Sequence, residues 1–157
     1  MKIKKLKFAG IALMLAGCFF SCETNLDFSN IENLHEQPLH VIQKTVQGSW
    51  RLQYTIGGFA GQTIIDTHDS YMQINKNHIT IGSNTHGILT DSPITWEKKE
   101  NFNGDGKSTY LLGYNHTIDN HGKVVAMQRF YIWEIKNDTL VIGEECCDGY
   151  TYYYTRK

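Results

Sequence analysis

The sequence predicts an all-β fold: a single antiparallel up-and-down β-barrel of about eight strands, preceded by a signal peptide and a short tether. Residues 47–56 alternate between apolar and polar side chains with a period of two, which is typical of a strand with one buried face. The rest of the chain contains short strand-like segments separated by turn residues, and no long helical run. This pattern favours a barrel over a βαβ sheet.

Length and charge narrow the class of protein. The chain has 157 residues and a formal net charge of −1, which predicts one modest globular domain. Because the near-neutral charge leaves no dense basic face, we do not expect a nucleic-acid partner. The sequence carries no cofactor motif, so we expect no cofactor, and we expect a monomer.

The N-terminus predicts export and lipidation. Residues 1–17 combine basic positions with a short apolar run, as a secretory signal does. Residues 15–18 read Leu-Ala-Gly-Cys, which matches the bacterial lipobox, and the small residues before Cys18 favour it over the alternative, Cys22. Acyl chains anchor a protein to a membrane without spanning it. We therefore expect a lipid-anchored envelope protein in the outer membrane of a Gram-negative bacterium, facing either the periplasm or the surface.

The remaining chain divides into a tether and a barrel. Residues 18–46 form the predicted lipidated N-terminus and tether, because much of this stretch is polar and rich in Asn and Glu. Residues 47–157 form the predicted barrel domain, in which Asn-Lys-Asn at 75–77 joins a tight hairpin. Other strands are predicted at 63–65, 87–98 (one or two strands), 108–114, 128–136, 138–143 and 149–156.

The first and last strands carry a predicted contact. Trp50 lies near the start of the first strand, and Arg156 lies near the end of the last. Because closing a barrel brings these strands together, we expect the Arg156 guanidinium to lie over the Trp50 indole as a cation–π pair.

These two ends of the domain also carry a family resemblance. Gly-Ser-Trp at 48–50 with a terminal-strand Arg resembles the lipocalin family, and GSWRLQYTIGGFAG and DTLVIGEECCDGYTYYYTR are similar to lipocalin-like lipoproteins of Bacteroidota. The resemblance implies a non-catalytic binding or envelope protein. It also implies a helical turn before the first strand that plugs the barrel, with Val41, Ile42 and Val46 as the plugging side chains.

Aromatic residues suggest a ligand cavity. Their strand positions are compatible with an inward orientation, which would let ring faces hold a small apolar or aromatic ligand. These residues are Tyr54, Tyr131, Trp133, Tyr152 and Tyr154. The alternative is that the rings fill the core, which would leave an interaction module that contacts protein or glycan through its loops.

No metal or catalytic site is expected. Residues 101–108 resemble the front of a calcium loop, but Leu112 stands where the bidentate acid is needed. Asp66, His68 and Asp69 are too few for a zinc site on one strand. The chain has no Gly-x-Ser-x-Gly motif.

The segment at 144–149, Glu-Glu-Cys-Cys-Asp-Gly, favours a turn over a redox centre. Nearby carboxylates raise the pKa of a thiol and disfavour a reactive thiolate. The state of Cys146 and Cys147 stays open.

Overall fold

The computed structural model describes residues 30–100, 107–118, 124–146 and 148–157. Within these ranges the chain forms nine antiparallel strands in one sheet. The strands are β1 Gly48–Gly57, β2 Gln62–Ile65, β3 Ser70–Asn75, β4 His78–Ser83, β5 Gly87–Glu100, β6 Ser108–Ile118, β7 Val124–Lys136, β8 Thr139–Glu144 and β9 Tyr150–Arg156. Each strand from β3 onward pairs with the next one along the chain.

The sheet closes through β1. Its first residues pair with β3, its last residues pair with β2, and on its other edge it pairs with β9 from Trp50–Arg156 to Gly57–Tyr150. Strands β1 and β3 to β9 therefore form a closed eight-stranded barrel, and β2 is an additional strand. The predicted all-β, up-and-down barrel of about eight strands is confirmed.

A short 3-10 helix, Leu34–Glu36, and the helix α1, Leu39–Val46, cover one end of the barrel, which we call the closed end. Leu34 and Ile42 are fully buried in the same core cluster as Trp50. The helical turn expected at this position is present, although Val41 is only half-buried and Thr45 is buried in addition. Much of the stretch predicted as tether thus packs on the barrel, because burying its apolar side chains closes the core.

Both hairpin turns near the closed end lie at the positions that the sequence predicts. Lys76 and Asn77 join β3 to β4. Asn137 and Asp138 join β7 to β8 with φ of 49° and 56°, the left-handed pair that a two-residue type I′ turn requires. One long strand, β5, replaces the one or two strands predicted at 87–98.

A β-bulge in β1 reverses the predicted orientation of its second half. Leu52 pairs with Tyr154, but Tyr54 pairs with Tyr153, so Gln53 is the extra residue. One extra residue moves every following side chain to the opposite face. As a result Thr55 is buried, whereas Tyr54 lies on the side of Tyr153, outside the barrel.

Candidate ligand-binding site

A cavity of about 460 Å³ occupies the barrel interior at the end opposite α1, which we call the open end. Its walls come from both halves of the chain and are largely apolar or aromatic. They include Leu52, Ile81, Tyr114, Phe130, Tyr152 and Tyr154. This volume is within the range of small-molecule pockets in proteins.

Four rings from three strands form the aromatic wall. Tyr114 and Phe130 are stacked with centroids 5.8 Å apart, and Tyr152 meets Phe130 edge-on at 5.7 Å. Tyr154 follows Tyr152 on β9 at 6.3 Å. These spacings are those of interacting aromatic pairs, so the rings fix one another in position. Tyr152 and Tyr154 thus lie where the sequence predicted, whereas Tyr114 and Phe130 were missed.

Three predicted cavity residues are on the outer surface instead. Tyr54 stacks on Tyr153 with centroids 4.4 Å apart, on the outer side of the β1–β9 seam. The prediction for Tyr54 is wrong because the bulge at Gln53 shifts the strand by one residue.

Tyr131 and Trp133 line an outer cleft of about 390 Å³, which shares Glu144 and Tyr150 with the interior cavity. Their rings stack at 5.2 Å, and the Trp133 indole lies over Gly143, where any side chain would collide with it. The inward prediction for both rings is wrong because residues 130–133 of β7 are apolar on both faces. Phe130 and Ile132 face the core, while Tyr131 and Trp133 line the outer cleft.

The polar centre of the interior cavity is Glu144, at the end of β8. Its Oε1 accepts hydrogen bonds from the Tyr152 hydroxyl at 2.6 Å and from Gln128 Nε2 at 2.8 Å. Its Oε2 accepts from the Tyr150 backbone N–H at 3.1 Å and makes a longer contact of 3.8 Å with Cys146 Sγ. The sequence contains an indication of this position, because Leu140, Ile142 and Glu144 are at alternate positions of β8 and therefore share its inner face.

The tyrosine hydroxyls around Glu144 remain neutral. Burial raises the pKa of Tyr114, and the Glu144 charge raises it further. Burial and the hydrogen bond to Glu144 raise the pKa of Tyr152, and burial raises that of Tyr154. At neutral pH these groups are therefore O–H donors.

The closed end contains the predicted Trp50–Arg156 contact. The guanidinium carbon of Arg156 lies 4.3 Å from the indole centroid, and Trp50 is fully buried. Arg156 also donates through Nη1 to the Gln47 carbonyl at 3.1 Å and through Nη2 to the Thr45 carbonyl at 3.3 Å. The Trp50 Nε1–H donates to the Val46 carbonyl at 2.8 Å. The pair therefore satisfies carbonyls at the end of α1, a role that the sequence did not reveal.

The acidic residues considered as metal ligands do not converge. Asp66 accepts hydrogen bonds from Ser70 N at 2.6 Å and Ser70 Oγ at 2.9 Å, whereas Asp69 pairs with Arg51 at 2.7 Å. Within the described ranges, no group of three or more His, Cys, Asp or Glu side chains is arranged to hold a metal ion. Cys18, Cys22, Cys147 and the calcium-like residues 101–106 lie outside the described residues.

Comparison of the chain with protein-family models, with curated proteins and with solved structures found no match in any of the three. In the part of the chain that the structure describes, no helix has both the length and the apolar character needed to cross a membrane.

Proposed function

We propose that this chain is an exported, membrane-anchored lipoprotein whose non-catalytic barrel binds a small apolar or aromatic ligand. The observation that carries the proposal is the cavity of about 460 Å³ at the open end. The interior is close-packed around Trp50 but leaves this space bounded by rings and aliphatic side chains. An apolar ligand that enters would bury surface that is otherwise in contact with water.

The edge of the open end is also apolar. Ile88 and Leu89, at the start of β5, are more than half exposed, and Leu89 belongs to the cavity wall. Phe59, in the turn between β1 and β2, is 98% exposed. Exposed apolar groups beside a cavity are typical of ligand-binding grooves, which supports access from this side.

Membrane anchoring rests on the sequence alone. The proposed lipid acceptor is Cys18, with Cys22 as the alternative, in the outer membrane of a Gram-negative bacterium. Intact-mass analysis of the protein from membranes should show an N-terminal Cys with a diacylglyceryl group. A mature protein that is soluble and begins at another residue would contradict this part of the proposal.

The outer cleft supports a second candidate function. Trp133, stacked on the buried Tyr131, presents an aromatic side chain in the outer cleft beside the turn at 144–149, and such side chains are common in contacts with protein or sugar rings. In this alternative the barrel is an envelope interaction module.

Two matched substitutions separate these functions. Naphthylmethanol, a neutral aromatic probe, should bind the full chain in nanodiscs of zwitterionic lipid, measured by isothermal titration against empty nanodiscs. Ile81→Trp should weaken binding because the larger ring takes up part of the cavity, whereas Gln73→Trp, on the outer face of β3, should leave the affinity unchanged. Equal binding to both variants would place the probe elsewhere and favour the outer cleft.

A further inference from the structure

The interior cavity has an unbalanced charge. Of the described residues that line it, Glu144 is the only acidic or basic side chain. The acidic neighbour Glu145 pairs with Lys99 and Arg129, but no cationic side chain in the described ranges forms an ion pair with Glu144. The cavity therefore presents one negative charge to whatever occupies it.

The carboxylate retains capacity for another donor. A carboxylate has about four lone-pair positions. Two strong donors, Tyr152 and Gln128, occupy Oε1, but Oε2 has one backbone donor and the long contact to Cys146. Oε2 is thus the oxygen with room for a ligand group.

Aromatic rings surround this charge on the cavity side. The Tyr152 hydroxyl contacts Glu144 directly. Phe130 meets the Tyr152 ring edge-on, and the centroid of the Tyr150 ring lies 6.4 Å from that of Tyr152. Ring faces attract cations through their quadrupole, and a nearby carboxylate adds to that attraction.

We propose that the ligand of this cavity carries a cationic amine, whose ammonium group binds Glu144 beside Tyr152 and Phe130 while its apolar part fills the aromatic wall. This inference rests on the proposed ligand-binding function and names the chemistry of the ligand's head group. An anionic head group would be repelled by Glu144, and a neutral one would leave its charge without a counter-ion. Burial raises the pKa of Tyr114 and of Tyr152, and the Glu144 charge adds to both shifts.

Three probes with the same ring system test the head group. Naphthylmethylamine, naphthylmethanol and naphthoate are titrated into the full chain in zwitterionic nanodiscs, with empty nanodiscs subtracted. The amine should bind roughly 10- to 100-fold more tightly than the alcohol, the range expected for a charge-assisted hydrogen bond, and naphthoate should bind most weakly.

Substitutions of two adjacent glutamates then test whether the preference for the amine depends on Glu144. Glu144→Gln should remove most of the preference for the amine over the alcohol, so that the ratio of the two affinities falls toward one. Glu145→Gln, which removes a charge paired on the outer surface, should alter neither affinity. Thermal unfolding of both variants checks that the barrel remains folded.

The outcomes distinguish the two proposals. Equal affinity for amine and alcohol, or a preference for the amine that persists in Glu144→Gln, overturns the head-group inference and leaves the cavity function standing. Failure of all three probes to bind overturns the cavity function and the head-group inference with it.

Discussion

The two ends of the barrel are built from the same strands, but one is covered by a helix and the other contains a cavity. At the closed end, α1 covers the core, Trp50 is fully buried, and Arg156 joins the first and last strands to the end of the helix. At the open end, no comparable helix of the described residues covers the interior, and Glu144 shares a cavity with the rings of Tyr152 and Phe130. The comparison indicates that the closed end contributes most of the stability and the open end contributes binding.

Removing Trp50 should produce the largest effect. Trp50→Ala should lower the free energy of unfolding by about 3–5 kcal/mol, because it empties a fully buried site and removes the hydrogen bond to Val46. Arg156→Ala should cost about 1–2 kcal/mol through the lost cation–π contact and carbonyl hydrogen bonds. Urea titration of both variants and of the double variant measures these changes.

Because the two side chains are in contact, the double variant should lose less than the sum of the single losses. Strictly additive losses would mean that Trp50 and Arg156 stabilise the protein independently, and that their contact is not part of what closes the barrel.

Two isoleucines of β4 give a matched comparison of packed and open regions. Ile79 is 1% exposed in the core, whereas Ile81, two residues along on the same face, lines the cavity. Ile79→Ala should cost about 2–5 kcal/mol, and Ile81→Ala about 1 kcal/mol, since Ile81 has fewer neighbours to lose. Equal losses in urea titrations would contradict the assignment of stability to the closed end.

The sequence predicted the part of the fold that depends on alternation and turn chemistry. Parity in the first half of β1, the Asn137–Asp138 turn and the Trp50–Arg156 contact all follow from local patterns combined with barrel closure. The α1 plug was expected only from the family resemblance.

The cavity was harder to predict. A bulge at Gln53 has no signature in the alternating pattern, so the pattern predicts the wrong face for Tyr54. In β7 both faces are apolar, so period-two alternation could not choose between Phe130 and Tyr131. The sequence of residues 144–149 predicts a turn, whereas Glu144, two residues after Ile142 on β8, lies on the inner face.

The smallest expected effect concerns Tyr152. Tyr152→Phe should cost about 0.5–1.5 kcal/mol at pH 7, because it removes the hydroxyl donated to Glu144 and keeps the ring. Tyr153→Phe, on the outer side of the same strand, is the matched control and should cost less.

The pH dependence of this effect has a definite sign. The folded state raises the pKa of Tyr152, so the stability that depends on its neutral form is fully present below about pH 10 and is lost as the pH rises further. Tyr152→Phe should therefore reduce the loss of stability between about pH 10 and pH 12. An unchanged alkaline decline in urea titrations would show that Tyr152 is not the group responsible.

The stabilisation produced by a bound probe, measured in two variants, tests the division between the two ends most directly. At a naphthylmethanol concentration of 100 times its Kd, the unfolding free energy of the unmodified chain should rise by about 2.7 kcal/mol. Trp50→Phe, which weakens only the closed end, should start from a lower stability and show the same rise. Ile81→Trp should keep a stability near that of the unmodified chain and show a smaller rise. If Ile81→Trp retains the full rise, or Trp50→Phe loses it, binding does not reside in the open-end cavity and the account of the two ends is wrong.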